Sequence, residues 1–367
     1  MNPKILIDCR WVMADNGFAS VIKMILKAID TQEDKFYLLI NENAKDFNFN
    51  EYIKNPNKFD VVIAKAKPFS LLQNIEIPLM IKKYKIDIFH TLNYDIPLFR
   101  FSKFKLISTI HDLIPITHKK LHKRNMITTL YFEIMYRLCA VLSYKIMTVS
   151  NYSKKEIVKY LPCREEKIQV IYNSYLPKNI NQDKKVNQIT QLLFVGSNFE
   201  HKNIHVVIEA VKLLKEKNII VNFNIAGGKY KYTEYLELLV KKYNLENQIK
   251  ILGKVDDKTL AELYSQADVY VFPSLIEGFG IPLLEAMDYG IPVISSNKTV
   301  MPEVVGDAGI LIEPTEEHFA EKIELIISNP ELKEELIQKG YARVKYFSQE
   351  KFSAQLLKLY GENCGND

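Results

Sequence analysis

The chain has 367 residues, more than one hydrophobic core usually organises, so two domains of similar size are expected. Hydrophobic residues make up 47% and charged residues 25%, which excludes a disordered chain and describes an ordinary soluble globular protein. The net charge of +5 hides an asymmetry: residues 1–180 carry 28 Lys and Arg against 17 Asp and Glu, and the rest carry 21 against 27. No nucleic-acid-binding motif accompanies the basic half, so that partner is set aside. Cys9, Cys139, Cys163 and Cys364 are scattered without metal-ligand or redox spacing, which points to a reduced, cytosolic compartment. The opening residues, Met1-Asn2-Pro3-Lys4-Ile5, lack a signal-peptide layout, in line with that expectation.

Strand and helix patterns alternate along the chain. A first strand spans Lys4 to Cys9, and a helix follows from about Ala19 to Ile29. Strands follow at Phe36 to Ile40 and Asp60 to Ala64, then a helix near Leu71 to Tyr84, then strands at Asp87 to His90 and Lys105 to Ile110. The basic cluster His118-Lys119-Lys120-Leu121-His122-Lys123-Arg124 precedes the longest apolar stretch, Met126 to Met147. Glu133, Arg137 and Lys145 interrupt that stretch, so it reads as a buried or interfacial helix and not as a membrane span. The cluster is either a solvated helix face or a basic surface for an anionic membrane. A strand at Lys145 to Val149, a helix from Lys154 and a strand at Ile168 to Tyr172 complete this half.

Residues 176–191, polar and without apolar periodicity, read as a linker between domains 1–175 and 192–345. The second series has strands at Leu192 to Val195, Val221 to Ala226, Gln248 to Leu252, Val269 to Phe272 and Pro292 to Ser295. Helical segments start near Glu316, Glu331 and Gln349, and the last, within residues 346–367, is expected to pack back on the first domain. Short strands alternating with longer helices imply parallel sheets in both domains. Such sheets bind ligands beyond the carboxyl ends of their strands, here in a cleft between the domains.

The segment Glu277-Gly278-Phe279-Gly280-Ile281-Pro282-Leu283-Leu284-Glu285 carries the most chemistry. Glycines let a backbone approach a ligand closely. Proline is favoured at a helix start, and the free N–H groups there attract an anion. One carboxylate precedes this anion site and the other lies on the helix behind it. That order suits a ligand with phosphates in the middle and hydroxyl-rich sugars at both ends, the shape of a nucleotide-sugar. Each feature alone has a plainer reading: a glutamate complementing a helix dipole, or a corner of any α/β domain.

The chain resembles the retaining GT-B glycosyltransferases of family 4. The resemblance rests on Phe272-Pro273-Ser274 through Glu285-Ala286, on Gly290-Ile291-Pro292-Val293-Ile294, on Pro302-Glu303-Val304 and on Gly306-Asp307-Ala308-Gly309. Phe194-Val195-Gly196-Ser197 with Lys202-Asn203, His111-Asp112, and Thr148-Val149-Ser150 with Ser153 extend it over most of the chain. It implies an α/β, GT-B fold of two Rossmann-like, doubly wound domains. It implies that Glu285 binds the donor ribose, Glu277 the donor sugar, and the backbone at Gly278, Phe279, Gly280 and Ile281 the sugar and diphosphate. Lys202 would neutralise the leaving diphosphate, with Gly196 and Ser197 in the loop before it. His111 would reach the transferred sugar, Gly17 would admit the phosphates, and Lys254 and Val255 would meet the nucleobase. Two positions depart from the family: His201 stands where an arginine often precedes the phosphate lysine, and Phe18-Ala19 follow Gly17 in place of a second glycine.

Glycosyl transfer builds negative charge on the diphosphate, which fixed charge and dipoles can stabilise. Lys202 and the helix start would supply this without a metal, and the chain contains no Asp-x-Asp motif. The expected activity is metal-independent transfer of a hexose-type sugar from a UDP- or GDP-sugar, with no cofactor required. The acceptor would be a glycan or lipid-linked sugar of a cell-surface polysaccharide. The basic first half would contact an anionic membrane, placing the protein in the cytoplasm and peripherally on the inner face of the membrane. A nucleotide-sugar epimerase, a sugar phosphorylase or a non-catalytic nucleotide-sugar-binding partner fits the same plan.

Overall fold

The computed structural model describes residues 3–14, 17–30, 35–118, 126–177 and 187–361. The chain divides into two compact units, residues 1–174 with 347–367, and residues 175–346. Of the basic cluster 118–124 only His118 is among the described residues, and residues 178–186 of the linker lie outside them.

The first unit holds β1 (Ile5–Asp8), α1 (Gly17–Ile29), β2 (Phe36–Asn41), β3 (Phe59–Ala64), α2 (Gln73–Tyr84), β4 (Ile88–Thr91) and β5 (Lys105–Thr109). It continues with α3 (Ile114–Thr117), α4 (Met126–Leu142), β6 (Lys145–Thr148), α5 (Asn151–Tyr160) and β7 (Ile168–Val170). All pairings are parallel, in the order β3-β2-β1-β4-β5-β6-β7. Side chains alternate across a strand, so each strand feeds two cores. Ile5 and Ile7 join one core with α1, and Leu6 joins the other with α2, α4 and α5.

The second unit holds β8 (Thr190–Val195), α6 (His205–Glu216), β9 (Val221–Ala226), α7 (Lys231–Lys242), β10 (Ile249–Gly253), α8 (Asp257–Gln266) and β11 (Val269–Phe272). It ends with α9 (Ile281–Asp288), β12 (Val293–Ser296), α10 (Met301–Val305), β13 (Gly309–Ile312), α11 (Glu316–Ser328) and α12 (Pro330–Tyr346). Its sheet is also all parallel, in the order β10-β9-β8-β11-β12-β13. A last helix, α13 (Gln349–Gly361), belongs to the first unit. There Phe352, Leu356, Leu359 and Tyr360, at helical spacing, enter the core beside α1.

Two local features have physical causes. The apolar run Met126 to Met147 divides, as expected, into a helix and a strand: α4 ends at Leu142 and β6 begins at Lys145. Arg100 donates to the Leu142 carbonyl at 2.8 Å and Lys167 to those of Val141 and Ser143 at 3.0 Å, closing the helix end. The four-residue β13 was not foreseen, because a strand this short that opens on a glycine carries no alternation. A Cβ at Gly309 would lie 2.9 Å from the Val293 carbonyl oxygen, so only glycine lets β13 lie against β12 there.

In both sheets the chain steps outward from one strand and then crosses to its other side. The order reverses between β1 and β4 in the first unit and between β8 and β11 in the second. At such a reversal the loops after neighbouring strands diverge, and a ligand crevice opens.

His90 on β4 is fully buried, with Nδ1 2.8 Å from the Tyr360 hydroxyl of α13 and Nε2 2.9 Å from Thr109 Oγ1. Burial, reinforced by His111, lowers its pKa to about 3, and burial lowers that of His111 to about 4. Both are neutral when folded, whereas the unfolded chain protonates them near 6.5. Stability is therefore complete above that value and falls as the pH drops towards 4, by up to about 1.4 kcal/mol per pH unit for each histidine. Urea unfolding of the first unit at pH 7, 6 and 5 should trace this loss. His90→Gln should flatten the slope by about one histidine's share, and an unchanged slope would rule His90 out as its cause.

Candidate active site

The segment after β11 is set by one backbone conformation. Gly280 has φ 101°, which side-chain-bearing residues rarely adopt, and a Cβ there would sit 3.1 Å from Leu283 Cδ1. This turn starts α9 at Ile281, one residue before Pro282. Pro282 has no N–H, and the Leu283 N–H bonds the Gly280 carbonyl at 3.1 Å. Gly280 and Ile281 are left as the N–H donors of the loop–helix junction, the arrangement that favours an anion.

Glu285 lies one turn into α9 and accepts a hydrogen bond from the Tyr264 hydroxyl of α8 at 2.9 Å. Tyr264 is fully buried and stacks between Tyr270 and Tyr289, at ring separations of 6.0 and 5.0 Å. Burial pushes its phenol pKa well up, so it stays a donor and holds the Glu285 carboxylate.

The other carboxylate, Glu277, pairs with Lys202. Both side chains are largely buried, and the lysine ammonium lies 5.9 Å from the Phe272 ring centre. Lys202 stands on a single 3-10 turn (Glu200–Lys202) in the loop between β8 and α6. The Leu275 N–H bonds the His201 carbonyl at 2.8 Å, so the loops after β8 and β11 are bound at main-chain level too. The Glu277 N–H donates to Thr299 Oγ1 at 3.3 Å. Thr299 has φ 49°, a strained conformation for a β-branched residue.

Gly196 and Ser197 follow β8 directly, and the loop is pressed against its neighbour after β9. The Gly196 N–H bonds the Ala226 carbonyl at 2.9 Å, and a Cβ at Gly227 would fall 1.9 Å from the Gly196 carbonyl oxygen. The Gly227 N–H in turn bonds the Gly253 carbonyl at 2.8 Å, just before Lys254 and Val255. A row of main chain therefore runs from the site at β8 out to Lys254, which is exposed, and Val255, which is half-buried. Gly227, Tyr264 and Thr299 were not singled out from sequence. The Gly227-Gly228 pair at a strand end was the available signal for the first, and the other two act through packing that spacing does not reveal.

His111 and Gly17 belong to the first unit. His111 follows β5, and its Nε2 donates to the Leu92 carbonyl at 3.0 Å, which fixes the proton on Nε2 and leaves Nδ1 as an acceptor. The Ser153 hydroxyl holds the His111 carbonyl at 2.8 Å, while Ser150 caps α5 by accepting from the Ser153 N–H at 3.0 Å. Gly17 is the first residue of α1, and the ring of the next residue, Phe18, meets the His111 ring edge-on at 5.0 Å. Trp11 and Phe69 extend this aromatic group at 6.0 and 6.1 Å.

Near them is a cavity of about 720 Å³ lined by Arg10, Trp11, Asn41, Glu42, Lys65 and Lys67, among others, at the carboxyl ends of β1 to β3. Buried Arg10 is fixed by Asp8 at 2.7 Å, Asp95 at 3.7 Å and Gln73 at 3.1 Å. Among the described residues no cluster of three His, Cys, Asp or Glu is placed to hold a metal ion.

Two parallel-sheet Rossmann-like units, with charged residues at the strand-order reversal of each and glycine-rich loops at that of the second, define a GT-B fold. A glycosyltransferase of Rickettsia africae superposes with a TM-score of 0.77 at 20% identity, covering 100% of both chains. Anabaena HepE, crystallised with UDP and glucose, superposes with a TM-score of 0.73 at 17% identity over 98% of this chain and 100% of that one. Residues 177–343 match the family described as glycosyl transferases group 1, and residues 16–175 match glycosyltransferase family 4. The O-antigen chain mannosyltransferase B of Escherichia coli is 30% identical over 292 residues, 76% of this chain and 75% of its own length. The chain belongs to the group 1, family 4 glycosyltransferases.

The Gly196–Gly227 contact admits no side chain. Gly227→Ala should destabilise the second unit by at least about 3 kcal/mol, read from its urea midpoint, because a 1.9 Å contact with backbone cannot be relieved by a rotamer change. A midpoint shift below a third of that would mean that the two loops part freely.

Proposed function

We propose that this glycosyltransferase moves a hexose-type sugar from a nucleoside-diphosphate sugar, UDP- or GDP-linked, to a glycan or lipid-linked acceptor in cell-surface polysaccharide assembly. The observation that carries the donor assignment is the junction at Gly280 and Ile281, set between Glu277 and Glu285 with Lys202 beside it. The diphosphate takes the N–H donors and the Lys202 ammonium. Glu285, held by Tyr264, accepts from the ribose hydroxyls. Glu277 accepts from hydroxyls of the transferred sugar. In the unliganded chain Lys202 and Glu277 satisfy each other, so neither charge is left uncompensated before the donor arrives.

In the reaction the bond between the anomeric carbon and the diphosphate oxygen breaks. The acceptor oxygen forms its new bond on the same face, and its proton passes to the departing phosphate oxygen. Configuration is retained, and no protein nucleophile is needed, so Glu277 positions the sugar. Lys202 and the helix start carry the charge that grows on the phosphate, and transfer proceeds without a metal. His111, neutral with Nδ1 free to accept, takes a hydroxyl of the sugar near the reacting carbon. The cavity beside Trp11, with Lys65 and Lys67, receives the acceptor. The mannosyltransferase relative, whose name places it in O-antigen chain synthesis, supports the substrate class. The acceptor is held at the inner face of the membrane, to which the basic first half attaches the enzyme peripherally.

Glu285→Ala should raise the donor dissociation constant by about ten-fold or more, measured by calorimetry, since hydrogen bonds to a charged group contribute about 1.5–3 kcal/mol. An unchanged constant contradicts the ribose role. Lys202→Ala should lower kcat by about 10²–10³ with a smaller change in donor affinity. Proton NMR of the product should show the donor's anomeric configuration, and inversion would eliminate the same-face route.

A further inference from the structure

The helix α4 is apolar on two opposite sides. Met135, Tyr136, Cys139 and Ala140 face the core. On the other side Met126, Ile127, Leu130, Tyr131, Ile134 and Val141 are exposed, Met126 and Ile127 by 84% and 78%. At 100° per residue these fall on one stripe, interrupted by Arg137. Thr128, Thr129, Glu133 and Arg137 keep the helix from being apolar all round, so the exposed stripe is a second, separate apolar face that the core does not use. Among the described residues no helix is long and apolar enough to cross a membrane.

The stripe ends at a basic cavity. Arg100, Lys105, Lys145, Arg164 and Lys167 line a space of about 590 Å³ around the carboxyl end of α4, with Glu166 the only carboxylate among the lining residues. Four of them contact main-chain carbonyls and rings. Arg100 donates to the Leu142 carbonyl and lies over Phe104, Lys105 lies 4.7 Å from the Tyr144 ring centre, and Lys145 donates to the Glu166 carbonyl at 3.0 Å. Lys167 donates to the carbonyls of Val141 and Ser143. None of the five forms an ion pair with a carboxylate among the described residues. Beside Arg100, the side chains of Leu98, Phe99 and Phe101 are exposed. The cavity sits at the amino ends of β5 and β6, at the opposite end of the sheet from His111, so it is separate from the site described above.

We propose that this face is a lipid-docking surface: the five-cation cavity takes the phosphate headgroups of anionic lipid, while the α4 stripe with Phe99 and Phe101 enters the headgroup–acyl boundary. Charge complementarity selects an anion, and the apolar rim selects a lipid over a free phosphate ion. The helix runs from the cavity to the end of the sheet where Phe132 meets Tyr94 at 5.6 Å. A lipid-linked acceptor would travel along α4 from the membrane towards the aromatic group at His111. The inference deepens the membrane-held acceptor of the preceding section and rests on that reading.

The test is co-sedimentation of the purified full chain with vesicles of phosphatidylcholine alone, or of phosphatidylcholine with one third phosphatidylglycerol. Lys105→Gln/Arg164→Gln removes two charges that close no helix end. Ile127→Gln/Leu130→Gln makes the stripe polar. Lys241→Gln/Lys345→Gln removes two exposed charges from the second unit as a control. The wild-type chain should bind anionic vesicles and not neutral ones. The cavity variant should bind about twenty- to thirty-fold more weakly, at about five-fold per charge. The stripe variant should also bind more weakly, and the control should match the wild type. All variants should bind the nucleotide donor as the wild type does, which shows them folded. If wild type and cavity variant bind anionic vesicles equally, the docking surface is wrong and the membrane reading stands. If the wild type binds neither vesicle, both fail. If inorganic phosphate binds the cavity and the stripe variant partitions normally, the cavity is a site for the free ion and the lipid assignment is overturned.

Discussion

The ion pair between Lys202 and Glu277 joins two loops that the sheet itself drives apart. Beyond Val195 the chain turns towards β9, and beyond Phe272 it turns towards β12, because the strand order reverses between β8 and β11. Backbone contacts hold the divergence open at a fixed width. Gly196 is pressed on Gly227 on one side, and Leu275 bonds His201 across the gap. Within that frame a lysine and a glutamate, both mostly shielded from water, compensate each other. In the proposed function a diphosphate sugar would offer replacement partners to both at once, its phosphates to the lysine and its hydroxyls to the glutamate. Removing either partner alone leaves the other charge buried and uncompensated, so the pair acts as a single unit.

Much of this was legible in the sequence, for identifiable reasons. Alternating strand and helix patterns implied parallel sheets, and both sheets are wholly parallel. The two glutamates could be placed around a helix start because Gly278, Gly280 and Pro282 are strong local punctuation. What stayed hidden depends on packing. Tyr264 reads as one apolar position of α8, and only the fold brings its hydroxyl to Glu285 twenty-one residues away. Thr299 carries its strain in the backbone, where residue type gives no warning. The Glu277–Lys202 contact spans 75 residues of sequence and follows from strand order, which periodicity does not specify.

The first unit manages its polar groups differently. Its strand-order reversal lies between β1 and β4, and there Asp8, Arg10 and Asp95 form a buried cluster. Burial opposes the charge on Arg10, but Asp8 first, then Asp95 and Glu76, raise its pKa, so the guanidinium stays a fixed cation in the cavity wall. His90 and His111 go the other way and are held neutral by burial. Phe18, standing where the family often has a second glycine, packs on His111 instead of opening the loop. The crevice thus offers aromatic rings, a neutral acceptor nitrogen and lysines at its mouth. In the proposed function these groups would receive an uncharged sugar ring carrying an anionic tail.

The helix α4 is apolar on two sides, and only one of them is explained by the core. One side is accounted for by Met135, Tyr136, Cys139 and Ala140 in the core. Core packing cannot account for Ile127, Leu130 and Ile134, which touch water in the isolated chain. Exposed apolar residues scattered singly need no explanation, but a stripe along a 17-residue helix, about 25 Å, is a coherent surface. Its polar neighbours are arranged at its end, as five cations that line the cavity, of which Arg100 and Lys167 close the helix. An enzyme whose acceptor is free in solution gains nothing from such a surface and risks aggregation through it. An enzyme whose acceptor is fixed in a bilayer confines its search to two dimensions by resting on that bilayer. On the proposed lipid-docking reading, the apolar stripe and the basic cavity at the helix end are two halves of one constraint: together they would set which side of the first unit faces the lipid, and with it the direction from which the acceptor arrives.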